Sequence, residues 1–113
     1  MAEAGKLKHR VAIWRSASTD DGTATVLGPP AEIGKRWASK QDVSDAERIR
    51  AAQQGAEVTT RFRMRRDGLT ATVGGADVLR YRGRDYAVTG VKDVDDDDDL
   101  IEITTSAKSE GTP

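Results

Sequence analysis

Two hydrophobic periodicities meet at Gly55. From residue 44 to residue 54, Ala46, Ile49 and Ala52 recur at helical spacing among charged and amide side chains, and Ser44 with Glu47 has the spacing of a capping box. A helix over residues 44–55 follows, with 45–54 as its body and Gly55 as the left-handed residue that stops it. Its apolar stripe is narrow and mostly alanine, so a helix this short needs tertiary support and belongs on a surface or between subunits. Beyond Gly55 the period becomes two. Val58, Thr60, Phe62 and Met64 fall on one face of a strand, and Thr59, Arg61, Arg63 and Arg65 on the other.

The same alternation marks other strands. Val11 and Ile13 alternate with Arg10, Ala12 and Trp14, giving a first strand over residues 9–15. Residues 16–30 collect Ser, Thr, Asp, Gly and the Pro29-Pro30 pair, which predicts a long loop over residues 17–31. A second strand covers 33–43, with Trp37 and Val43 bracketing it. Residues 67–75 read as a turn-rich loop. Residues 78–81 and 86–91 form a hairpin about Arg82, Gly83 and Arg84, an acidic connection follows, and a last strand spans 100–105. Residues 1–6 read as a flexible arm and 106–113 as a flexible tail. The predicted fold class is mostly β: a small antiparallel β-barrel or sandwich of about six strands with one short peripheral α-helix.

Length and composition constrain what such a fold does. One domain of 113 residues, 36% hydrophobic and 4% aromatic against 33% charged, buries a thin core and gains from packing on copies of itself. No apolar run approaches the roughly 20 residues that cross a bilayer, and the first ten residues lack the apolar centre of a signal peptide, so synthesis in the cytoplasm and no membrane partner are expected. Residues 1–92 carry 17 Lys+Arg against 11 Asp+Glu, while residues 93–113 carry 1 against 8, so a body of +6 precedes a tail of −7. That segregation suits contact between neighbouring subunits or a basic face turned to a polyanion.

Candidate chemistry is sparse. With one histidine and no cysteine, an enzyme would need carboxylate or lysine chemistry without a recognisable motif, so a non-enzymatic role is expected. His9, on a strand beside lysines and arginines, reads as a packing or surface residue. Residues 95–99 lack the spaced ligands of a calcium loop and read as a solvated hairpin tip, with no metal or cofactor expected. Arg61, Arg63 and Arg65, with Arg48 and Arg50 of the helix, are candidates for lining a DNA channel or for ion pairs between subunits, with a solvated face as the plain alternative. Trp14 and Trp37 are candidate interface anchors or core residues. A small basic barrel that binds nucleic acid is the alternative reading, although Phe62 is the one aromatic within the basic strand and lies on its other face.

Three short motifs carry a resemblance. Leu7, His9, Arg10 and Val11 fit L-x-H-R-(V/I); Glu57, Val58, Thr59 and Arg61 fit E-V-T-H-(R/K), with Thr60 in the usual histidine place; Tyr81, Gly83, Arg84, Tyr86 and Val88 fit Y-x-G-R-x-Y-x-(V/I). With a tryptophan-bearing second strand at 35–39 and a polar helix before the third, the chain resembles, over nearly its whole length, the head-tail joining or head-closure family of tailed bacteriophages. The resemblance implies a virion neck subunit: a β-barrel forming a ring, usually of twelve copies, below the portal and its adaptor and above tail terminator or tail tube proteins, with packaged double-stranded DNA in the channel. In some members a loop between the second and third strands acts as a stopper. Here the corresponding segment is 41–56, making Gln41, Ser44, Glu47, Gln53 and Gln54 the candidate gating residues.

Overall fold

Alternation along each strand sorts the side chains into an inside and an outside, and pairing of the strands decides how the inside closes. A computed structural model describes residues 7–20, 25–94 and 97–107. It contains β1 (His9–Asp20), β2 (Thr25–Asp42), α1 (Asp45–Gln53), β3 (Thr60–Arg65), β4 (Asp77–Tyr81), β5 (Arg84–Val94) and β6 (Asp97–Ala107), with a 3-10 turn at Thr70–Thr72. Every pairing is antiparallel, and the six strands close into a barrel in the order β1-β2-β3-β6-β5-β4. Of the two architectures open from the sequence, the barrel is the one formed.

Inward positions supply one continuous core. Val11 and Ile13 of β1, Phe62 and Met64 of β3, Leu79 of β4, Tyr86 and Val88 of β5, and Ile101 and Ile103 of β6 are all buried. Register places Phe62 opposite Ile103 and Met64 opposite Ile101, so bulky side chains meet across the β3–β6 seam. Thr105, a polar residue that enters the core, is satisfied: its hydroxyl donates to the Thr60 carbonyl at 2.8 Å.

The predicted loop at 17–31 is largely strand. Residues 16–20 of β1 pair with residues 25–30 of β2, so Pro29 and Pro30 lie inside a strand. They are tolerated because β2 joins β3 only from Ala38 onward. Before that point β2 pairs on one side only, and Pro29 falls in the irregular stretch between the Ser16–Pro30 and Ser18–Leu27 pairs, where the ladder is already interrupted. Register shifts at Ile13/Trp14 and Ser16/Ser18 absorb the remaining mismatch. Residues 21–24 of that loop lie outside the described residues, as do the arm at 1–6, residues 95–96 of the acidic connection and residues 108–113 of the tail. Ser106 and Ala107, read as tail, belong to β6, because Ala87 and Tyr86 near the start of β5 supply them with partners.

Two connections depend on backbone detail. Between β3 and β4 the segment read as a loop holds the 3-10 turn: the Asp67 carboxylate accepts from the Leu69 and Thr70 amides, both at 2.9 Å, and pairs with Arg36 of β2. Leu69 then packs on the core, and a Cβ at Gly34 would stand 2.5 Å from its Cδ2, so glycine there makes room for the segment. The β4–β5 hairpin turns on two residues, Arg82 and Gly83, both at positive φ as a type I′ turn requires. Arg84 therefore sits in the strand, where the sequence reading had placed it in the turn.

Helix α1 starts where predicted and ends one residue earlier than the body read from sequence. The Glu47 amide donates to Ser44 Oγ at 3.2 Å, making Ser44 the N-cap. Gly55, at φ +78°, completes a Schellman stop, with the Ala56 amide donating to Ala51 O at 2.8 Å and the Gly55 amide to Ala52 O at 3.0 Å. A Cβ at Gly55 would meet nothing within 4 Å, so Gly55→Ala costs only backbone strain, about 1 kcal/mol. None of the helix residues is buried. The cost therefore falls on local opening: hydrogen exchange of the α1 amides should quicken about fivefold while the global unfolding midpoint stays put. A drop in the global midpoint would show that α1 is integral to the barrel.

Candidate functional site

The arginine face of β3 points out of the barrel. Thr60, Phe62 and Met64 are buried, Arg61 is half-buried, and Arg63 and Arg65 are exposed. Beside β3 lies β6, whose register brings Glu102 opposite Arg63. Glu102 is only 5% exposed although it lies on the outer side of the sheet, because cations cover it: Arg63 Nη2 at 2.9 Å, Arg61 Nε at 3.6 Å and Lys92 Nζ at 3.7 Å. A carboxylate so enclosed needs such partners. Two of the three candidate arginines on β3 are thus held by an acidic residue of their own chain, a pairing visible only once β3 and β6 are known to be neighbours.

Arg61 also reaches the helix. Its guanidinium grips Glu47 with two hydrogen bonds, one of them 2.9 Å from Nη1 to Oε1. This corrects the capping-box expectation: the Glu47 side chain is drawn to Arg61 and does not return to the cap. The hydrogen bond from Arg61 holds the Glu47 carboxyl below its usual range; burial opposes it, and the charges of Arg61 and Arg50 add to the lowering. Val43 and Thr59 join the two ends of the excursion through a 3.0 Å backbone bond. Segment 41–56 is therefore a helical flap tied at its base, where Asp42 also pairs with Lys40, and held through α1 by the Arg61–Glu47 pair.

Along that flap Gln41, Gln53 and Gln54 are exposed, and so are Arg48 and Arg50, for which no carboxylate partner occurs among the described residues. Ile49 is 61% exposed and borders a groove of about 410 Å³ with Ala52, Ala56 and Val58. The apolar stripe expected to need support has no cover among the described residues.

The two tryptophans occupy different settings. Trp14 is half-buried beneath Arg80, whose guanidinium carbon lies 4.2 Å from the ring centroid, and its indole N–H is buried without an acceptor among the described residues. Trp37 is 52% exposed, with Arg10 opposite it in register and 5.2 Å from its ring centroid.

The motif residues turn out to build the barrel. His9 Nδ1 and the Tyr81 hydroxyl share a 2.6 Å hydrogen bond, and their rings meet edge to face at 5.3 Å. Burial, then the charges of Lys40, Lys8 and Arg82, push the His9 pKa down, which keeps the imidazole neutral at this contact. Phe62 bridges onward to Tyr86, edge to face at 5.1 Å. The first and third motifs are thus clasped through one aromatic chain.

A family model described as phage head completion protein matches residues 2–108. The chain belongs to the phage head completion protein family. The family supports a structural role in closing the phage head and an association with the virion head, and implies a non-enzymatic one. Among solved structures, the solution structure of a Shigella flexneri 2a protein aligns with a TM-score of 0.71 at 22% identity, covering 96% of this chain and 99% of that one. At that identity the likeness concerns the fold. No curated protein matches the sequence.

The sequence reading missed the most deeply buried charged group among the described residues of this head completion protein. Asp77, 3% exposed at the start of β4, accepts from Arg15 Nε at 2.8 Å, Arg15 Nη2 at 2.9 Å and the Gly74 amide at 3.0 Å. Arg15 Nη2 also donates to Thr72. An aspartate two residues after a Gly-Gly pair is an ordinary turn signal, and nothing local pointed to an arginine 62 positions earlier.

Proposed function

We propose that this head completion protein works as a ring-forming neck subunit, a wall of barrels with the α1 flaps projecting from it. It binds below the portal–adaptor complex, helps retain packaged double-stranded DNA and offers a docking surface to tail terminator or tail tube proteins. The observation that supports this reading is α1 itself. A nine-residue helix with no buried residue, an exposed Ile49 and a single ion pair to the barrel is marginal alone, and gains stability from a neighbour that covers its stripe. Because Arg61 and Arg63 are engaged by Glu47 and Glu102, the cations left for DNA phosphates or adjoining subunits are Arg48 and Arg50 on the flap and Arg65 on the wall.

Assembly tests this. Purified protein added to a portal–adaptor complex should sediment with it in a fixed stoichiometry, twelve copies in the family's usual arrangement, and hydrogen exchange of α1 should slow on assembly. Absence of stable association with neck components would overturn the reading.

A further inference from the structure

Arg15, Arg36, Arg61, Arg63, Arg66 and Arg80 each have a carboxylate of the same chain within 4 Å. Lys8, Arg10, Lys35 and Arg65 are exposed and have no such partner among the described residues. They gather about one ring. Trp37 of β2, 52% exposed, stands opposite Arg10 of β1 in register, with the guanidinium carbon 5.2 Å from its ring centroid. Leu7, Lys8, Trp37 and Arg65 line a depression of about 370 Å³ on the outer face of β1–β2–β3. Lys35, two residues before Trp37 on the same face of β2, carries the positive charge about 6.7 Å further along the strand.

This combination selects among anionic partners. An exposed indole beside cations holds a flat group by its face while the cations hold an anion next to it. An acidic peptide supplies charge without a regular succession of flat groups, whereas nucleic acid alternates base and phosphate at every nucleotide. In a duplex the base faces are already stacked on one another, so a tryptophan that uses its own face needs unpaired bases. Sequence periodicity gives β3 an arginine face without an aromatic, because Phe62 lies on the other side of that strand. Strand order supplies what is missing: β2 lies beside β3, and Trp37 joins Arg65 at one depression.

We infer that the face formed by Lys8, Arg10, Lys35, Trp37 and Arg65 binds single-stranded nucleic acid, with one base stacked on Trp37 and the adjoining phosphates on the cations. Contacts to phosphates and to the flat face of a base carry no sequence code, so binding is independent of sequence. The face shares no residue with the α1 flap, and a single barrel carries all of it. The inference therefore goes beyond the neck reading and does not depend on ring formation.

Free full-length protein is titrated into a labelled oligothymidylate of about 16 nucleotides, and into a duplex of the same length, at about 50 mM salt. Fluorescence anisotropy should show the single strand bound about tenfold or more tightly than the duplex, and tryptophan emission should be quenched on binding. Trp37→Ala should weaken the single-strand complex about 5- to 150-fold, the range for one stacked base, and abolish the quench, with an unchanged circular dichroism spectrum. Trp37→Phe, which keeps a stacking ring, should recover most of the affinity. Arg10→Gln with Arg65→Gln should reduce the slope of log affinity against log salt by about 1.4, while Lys92→Gln, which removes a charge from β5, should leave that slope unchanged. Equal or tighter binding of the duplex, unchanged affinity in Trp37→Ala, or no binding at about 50 mM salt would each overturn the inference. Displacement of the oligonucleotide by oligoglutamate at equal charge would assign the face to an acidic protein and overturn it as well. Assembly on the portal–adaptor complex tests the neck reading separately, and none of these outcomes decides it.

Discussion

Phe62→Ala should lower the free energy of unfolding by about 3–5 kcal/mol, a large part of the roughly 5–15 kcal/mol available to a domain of this size. Phe62 is the one phenylalanine of the chain, is fully buried, and lies opposite Ile103 across the β3–β6 seam. Its ring meets Tyr86 at 5.1 Å and Tyr81 at 6.5 Å, both edge to face, so its loss empties the centre of a core that has little else of that size. Neighbouring β-strands cannot collapse into the space without breaking their ladders. Phe62→Leu, which keeps most of the volume, should cost about 1.5 kcal/mol. Urea unfolding of the two variants checks this; a loss under about 1 kcal/mol for the alanine would contradict the core described above.

The second large effect belongs to Asp77. Asp77→Ala strands the Gly74 amide and removes the fork that holds Arg15, at an expected cost of about 3 kcal/mol, the low end for a broken buried pair because the Arg15 side chain is 34% exposed. Its pH dependence has a definite sign. Burial pushes the Asp77 carboxyl up, but hydrogen bonds from Arg15 and Gly74, aided by the arginine's charge, outweigh it and hold the group below the usual range. A depressed folded pKa means that the stabilisation is complete above the unfolded value of about 4 and is lost as pH falls through the folded value. The stability gap between wild type and Asp77→Ala should therefore be constant from neutral pH down to about pH 5 and narrow below about pH 4. A gap that widens on acidification would contradict the pairing.

Much of this fold was legible because β3 and the hairpin follow period two cleanly and because Ser44 and Gly55 bound the helix with unambiguous chemistry. What escaped the sequence was long-range. Pro29-Pro30 looked like a loop since a proline is judged against an interior strand, and only the partial β2–β3 ladder reveals that this stretch pairs on one side. Glu47 was read as a cap ligand because its local spacing is right, yet Arg61, fourteen positions on, offers a charge-assisted alternative. The outward direction of Arg61, Arg63 and Arg65 follows from the apolar residues between them, whereas the commitment of Arg61 and Arg63 to Glu102 depends on strand order. Trp37 was recognisable as an anchor candidate, but its cluster of unpaired cations assembles only when β1, β2 and β3 lie side by side.

The most direct test of head closure is DNA retention. Particles produced without this protein, from a genome otherwise intact, should package DNA and then lose it, leaving nuclease-sensitive, tailless heads, while wild-type protein supplied in trans restores nuclease-resistant DNA and tails. Heads that keep their DNA protected and accept tails in its absence would contradict the account.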